Sequence, residues 1–205
     1  MDDVTRSVQA TSTGEAAAVA RARRTAPNGL WAMLLFAATE TALFGSLLGT
    51  YWYLESGSAQ WPPNGIEAPS AVLPLVLTAV LVLATIPVVL AARAVRHARR
   101  GAAWGLVALA LVFQAGYLAW QIVLFLDDLA KFKPDHTAYG SIYFLLLGAD
   151  HAHVAVGLLL SLWVLLRLAS GLTNYRVVTV QALAIYWVFV SAVTVVVTLT
   201  QVSPS

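Results

Sequence analysis

Five uninterrupted apolar runs, each close to the thickness of a lipid bilayer, constrain this chain more than any other feature. They cover residues 31–54, 74–92, 104–126, 141–166 and 178–199. A hydrocarbon core about 30 Å thick takes about 20 residues of helix to cross. No water is present there to satisfy an open backbone, so segments of this length can only be helices. The chain is 60% hydrophobic and 11% charged. Soluble domains hold roughly 45–50% apolar and about 25% charged residues, so a buried core alone does not account for the excess. The expected fold is an all-α membrane protein, a bundle of five transmembrane helices. Pro87, inside the second run, is expected to kink that helix without ending it.

The charged residues orient the bundle. Arg6, Arg21, Arg23 and Arg24 precede the first run, Arg93, Arg96, Arg99 and Arg100 join the second to the third, and Arg167 and Arg176 flank the link between the fourth and fifth. These ten leave only Lys131 and Lys133 of the twelve basic residues, and those two share a loop with Asp127, Asp128 and Asp135. Glu55 and Glu67 fall on the same side as that loop. Positive charge collects in cytoplasmic loops, so the amino terminus is expected inside and the carboxyl terminus outside. Residues 1–27 read as a flexible cytoplasmic tail, with a short amphipathic turn around 15–24, and residues 28–205 as the membrane domain. The tail has no apolar stretch of its own and does not read as a secretory signal. A net charge of +2 gives no footing for nucleic-acid binding, and the absence of cysteine excludes disulfides and thiolate metal sites.

Few ionisable groups lie deep in the runs. Glu40 is nine residues past Trp31, and Asp150 nine past Ser141 from the opposite side, so both sit about 14 Å in. Asp150 and His153 are three apart and share a helix face. Intramembrane ionisable groups are costly and point to function or to a partner contact. Glu40 is therefore expected to face the Asp150–His153 stripe, with at least one carboxyl protonated. It has two readings: a neutral acid bonded to a neighbouring helix, or a group that handles lipid or protons. His151 and His153 project about 200° apart and cannot ligate one metal together, while His97 and His136 fall in loops on opposite sides. Gln114, Gln121 and Gln181 can bond between helices, and Gly45, Gly49, Gly148 and Gly157 are candidate close-packing sites. Trp31, Tyr51, Trp52, Tyr53, Trp61, Trp104, Tyr139 and Tyr143 read as membrane-interface anchors.

Several of these residues form an ordered pattern. The first run carries Thr39-Glu40, then Leu43-Phe44 and Tyr51-Trp52-Tyr53. A Trp61-Pro62-Pro63-Asn64-Gly65 loop follows, then Pro69 and Leu73-Pro74-Leu75. The fourth run has Tyr139-Gly140-Ser141, Tyr143-Phe144, Gly148, Asp150-His151-Ala152-His153-Val154 and Gly157-Leu158. The fifth has Tyr186-Trp187-Val188-Phe189-Val190. In this order the set resembles subunit III of the haem-copper (cytochrome c type) terminal oxidases, in the five-helix bacterial form that lacks two amino-terminal helices. The chain departs from the family's pattern in places. Asp150 stands where the family has a histidine. Val188 and Ser191 replace a histidine and an aspartate. The family's Gln-x-x-Glu is matched at most by Gln114 or Gln121, with no glutamate after either.

The resemblance implies a non-redox subunit of a proton-pumping oxidase in aerobic respiration, in the bacterial cell membrane. Such a subunit packs on catalytic subunit I, lies in a complex with subunit II, holds phospholipid between its helices and sustains proton uptake. Haem and copper would reside in partner subunits. The implied site residues are Glu40, Asp150, His153 and His151 inside the membrane and Trp61, Pro62, Pro63 and Gly65 in the external loop. Two other readings stay open. One is a subunit III-like accessory protein of a nitric oxide reductase. The other is a small proton or ion transporter, which the absence of an internal repeat disfavours.

Overall fold

The computed structural model describes residues 28–203 except 64, 68 and 69, together with positions 13 and 17. The expected tail, its turn and its four arginines otherwise lie outside the described residues. Five long helices and no strand are found among those described: α1 Asn28–Ser56, α2 Val72–Arg96, α3 Arg100–Lys131, α4 Ala138–Ala169 and α5 Asn174–Val202. Each is long and apolar enough to cross a membrane.

Every helix outruns its apolar core, and the ends show why. Thr137 accepts a hydrogen bond from the Gly140 amide at 3.0 Å, and Thr173 one from the Arg176 amide at 3.3 Å. These caps satisfy amides that a helix start leaves free, so α4 and α5 begin before their apolar runs. Helix α2 passes through Pro87 without interruption. It ends at a tight link in which Ala98 takes a left-handed φ of 56° and the Arg99 amide donates to the Ala94 carbonyl.

Helices α2, α3, α4 and α5 close a ring: α2 packs on α3 and α5, and α4 packs on α3 and α5. Helix α1 touches only α4 and α5. The ring's interior is filled by Leu81, Val88, Val107, Tyr117, Val154, Leu183 and Trp187. A second cluster, with Phe44, Leu48 and Tyr51 from α1 and Tyr139, Tyr143 and Phe144 from α4, sits at the end that carries the 57–71 connection. Lipid is as apolar as these side chains, so association rests on close packing and on bonds between helices rather than on water exclusion.

Three expectations change. Trp31, Trp52, Tyr53 and Trp104 are exposed, as interface anchors would be, but Tyr51, Tyr139 and Tyr143 are buried. They pack around Trp61, whose ring meets Tyr51 at 5.3 Å and Tyr139 at 5.0 Å, both edge-on. Among the four glycines named for close packing, only Gly157 has a neighbour in the way, the Trp187 ring 2.7 Å from where a Cβ would stand. Gly45, Gly49 and Gly148 face open space. Gln114 and Gln121 do not bridge helices either. Gln121 donates within its own helix, to the Tyr117 hydroxyl at 3.2 Å, and both amide atoms of buried Gln114 lack a partner.

Candidate functional site

Glu40, on α1, and His153, on α4, meet. Glu40 Oε2 lies 3.0 Å from His153 Nε2, and the two side chains keep only 19% and 17% of their surface. The other ring nitrogen, Nδ1, is 2.8 Å from the Ala149 carbonyl oxygen one turn back on α4. A carbonyl only accepts, so Nδ1 carries a hydrogen. Nε2 and Oε2 can bond only if one more hydrogen lies between them. Either a neutral imidazole accepts from a protonated Glu40, or an imidazolium donates to a carboxylate. Both states hold the same number of protons and have no net charge, and absence of net charge is what an apolar environment favours.

The pair is fixed from three sides. Phe44, one turn after Glu40, places its ring 5.0 Å from the imidazole, edge to face. The Tyr186 hydroxyl on α5 donates to the His153 carbonyl oxygen at 2.8 Å. Phe36, one turn before Glu40, stacks on Tyr186 at 6.3 Å. The three-helix junction therefore sets both the position of the ring and which nitrogen faces Glu40.

Asp150 is not part of that pair. It shares α4 with His153 but faces α5, where Thr194 Oγ1 donates to its Oδ1 at 2.7 Å, and it is 2% exposed. His151 turns to α3 and meets the Phe125 ring edge-on at 5.7 Å, with its Nε2 unpartnered. The four polar residues expected on α4 and α1 thus divide into one bonded pair, one acid bound by Thr194 and one histidine among aromatic rings. Among the described residues, no three of His, Asp and Glu gather as a metal site.

The external-loop residues stand at one end of the bundle. Trp61 wedges between Tyr51 of α1 and Tyr139 of α4, Pro62 is buried behind it, and Pro63 accepts from the Ile66 amide at 3.1 Å. Gly65 has φ 92°, a left-handed turn that a side chain would strain. Beyond it, the connection covers one side of a cavity of about 560 Å³.

A set of interior polar groups was not singled out from the sequence. Thr85 and Ser191 share a hydrogen bond at 2.7 Å, Thr78 and Thr198 one at 2.9 Å, and Gln201 donates to the Tyr143 carbonyl at 3.3 Å. The signal was present in α5. Ser191, Thr194, Thr198 and Gln201 are spaced three, four and three apart in an otherwise apolar run, which puts them on one helix face.

Comparison with known proteins gives one family. The model of the family described as cytochrome c oxidase subunit III matches residues 11–201. The chain is 28% identical over 170 residues to subunit 3 of the cytochrome bo(3) ubiquinol oxidase of Pseudomonas putida, covering 80% of this chain and 79% of that one. It is 29% identical over 168 residues to cytochrome c oxidase subunit 3 of Bacillus subtilis, with coverage of 80% and 79%. With the corresponding subunit of Thermostichus vulcanus it shares 27% over 191 residues, 90% of this chain and 92% of the relative.

Proposed function

The chain belongs to the cytochrome c oxidase subunit III family, a multi-pass protein of the cell membrane, and we propose that it serves as the non-redox subunit III of a haem-copper terminal oxidase. The observation that carries this reading is the family match along residues 11–201. The meeting of Glu40 with His153 supports it, since each belongs to a separate motif of the resemblance.

In this reading the chain packs beside a catalytic subunit that holds haem and copper, stabilises it, and supports its proton uptake. Haem and copper are assigned to partners because no converging ligand set is found among the described residues. The chain has no cysteine, and His151 and His153 turn to different helices. Phospholipid is assigned to the cleft beside α5, where α1 and α2 both pack on that helix without touching each other. The bundle end that carries Arg93, Arg96, Arg100, Arg167 and Arg176 is assigned to the cytoplasm, and the 57–71 connection to the outside.

The test is to isolate this chain by affinity tag from native membranes in mild detergent, record a reduced-minus-oxidised spectrum and identify the partners by mass. A haem-copper catalytic subunit with its oxidase spectrum is the expected result. Haem b and c with a nitric oxide reductase subunit would place the chain in an accessory role there instead. An intact preparation without haem would overturn the proposal.

A further inference from the structure

Helices α2–α5 and the 57–71 connection enclose the cavity of about 560 Å³, and the oxidase reading gives it no occupant. Its size is that of a small-molecule site. No residue of α1 is among its described lining, which sets it apart from the lipid cleft between α1 and α2.

The polar groups that line it are left as acceptors. Gln121 and Gln201 are only 4% and 5% exposed. Gln121 gives its Nε2 hydrogen to the Tyr117 hydroxyl at 3.2 Å, and Gln201 its Nε2 hydrogen to the Tyr143 carbonyl at 3.3 Å. Both side chains line the cavity. With their nitrogens turned to the protein, the carbonyl oxygens are what they offer an occupant. The hydroxyls beside them are engaged: Thr198 bonds Thr78 at 2.9 Å, and Tyr143 donates to Asp128 Oδ2 at 2.7 Å. The charged lining is Glu67, Asp127 and Asp128 against Lys131, an excess of two negative charges. Lys131 lies 2.5 Å from Asp127 and 3.6 Å from Asp128, so its ammonium is held by its own helix. Buried carbonyl oxygens want donors, and a cleft lined by one sign of charge concentrates the other. Both point to a cation that carries N–H groups.

The kind of cation follows from the same lining. Among the described residues no three of His, Asp and Glu gather closely enough to hold a bare metal ion. A quaternary ammonium has no hydrogen for the glutamine oxygens. A primary ammonium has three donors and no acceptor, the complement of this wall, and Leu124, Phe132 and Leu147 supply apolar surface for an alkyl stem. We infer that the cavity at the 57–71 end binds a primary ammonium group on a short alkyl chain, held by Glu67, Asp127, Asp128 and the carbonyl oxygens of Gln121 and Gln201. A free aliphatic diamine and the ethanolamine head of a phospholipid both present this group.

The test uses the affinity-purified assembly in nanodiscs of phosphatidylcholine, which has no primary amine. Haem content is measured separately, so that failure of the oxidase reading is recognised independently. Calorimetric titration with 1,4-diaminobutane is expected to show saturable binding, weakened on the order of tenfold by Asp128→Asn and by Glu67→Gln. Lys131→Met removes a competing cation and is expected to tighten binding about threefold. Asp135→Asn, at the same end but outside the cavity lining, is expected to leave binding unchanged. The hexamethylated diamine keeps both charges and has no N–H, and is expected to bind on the order of tenfold more weakly. Native mass spectrometry after reconstitution with phosphatidylethanolamine reads the other source. A retained ethanolamine lipid that Glu67→Gln and Asp128→Asn release assigns the site to the headgroup. Retention of neither amine, equal binding of the methylated diamine, or binding indifferent to both acid variants overturns the proposal. If Asp128→Asn does not assemble, Glu67→Gln in the exposed connection and Lys131→Met decide it by their opposite signs.

Discussion

A single hydrogen shared by Glu40 and His153 makes the two halves of the pair unequal under substitution. Glu40→Gln keeps a donor for Nε2 and is expected to change the thermal stability of the purified assembly little. Glu40→Leu strands a ring nitrogen at the α1–α4 contact and is expected to cost about 1–3 kcal/mol, read as a lower unfolding temperature. Gly157 is constrained differently. Any Cβ there meets the Trp187 ring at 2.7 Å, and that ring is fixed by its Nε1 donating to Ser161 at 2.9 Å. Gly157→Ala is expected to destabilise by roughly 1–3 kcal/mol through overpacking, and Gly49→Ala, with nothing within 4 Å, to be near neutral. Comparative thermal melts of the two variants check this. Glu40 and His153 were legible in the sequence because a charge in an apolar run is conspicuous. The difference between Gly157 and Gly49 was not, because spacing gives the face of a helix but not which neighbour lies against it.

At the scale of the element, α5 holds the bundle together: it packs on α1, α2 and α4, and its polar face reaches two of them. Thr85–Ser191 and Thr78–Thr198 are its bonds to α2. Hydrogen bonds between helices in a membrane measure about 0.6 kcal/mol by double-mutant cycle, with a maximum near 1.7. A cycle of Thr85→Val with Ser191→Ala is expected to give a coupling in that range. Thr85 gives its one hydroxyl hydrogen to its own Leu81 carbonyl at 3.1 Å, so Ser191 donates between the two hydroxyls, and Thr85→Val, which loses both bonds, should cost more than Ser191→Ala. Chemical unfolding of the detergent-solubilised chain reads the four corners. The existence of all five helices was legible from length and hydropathy alone. Their ends were not, since caps such as Thr137 and Thr173 extend the backbone beyond the point where the apolar signal stops. The polar face of α5 was legible in principle from its spacing of three and four, but each hydroxyl taken singly looks ordinary.

For the whole molecule, the count of helices and the family could be read from the sequence, whereas the arrangement of a ring of four with α1 laid outside it could not. Hydropathy records that a segment prefers lipid, and a lipid-facing side chain and a helix-facing one are equally apolar. In hydrogen exchange of the isolated chain in detergent, α1 is expected to exchange faster than α2–α5, because few of its residues are buried. Assembly with partners is expected to slow it. The burial that α1 does have is uneven. Phe44, Leu48 and Tyr51 all lie after Glu40, and Trp61 braces the far end between Tyr51 and Tyr139. Helix α1 therefore acts as a lever. One arm is clamped by the aromatic wedge, the fulcrum is the Glu40–His153 bond, and the other arm is about 18 Å of helix from Asn28 to Glu40, held more lightly by Phe36 on Tyr186. A sideways load on that arm would bear on the Glu40–His153 bond before it reached the clamp, so a mechanical displacement at one face of the membrane would be met first by the polar pair in its middle.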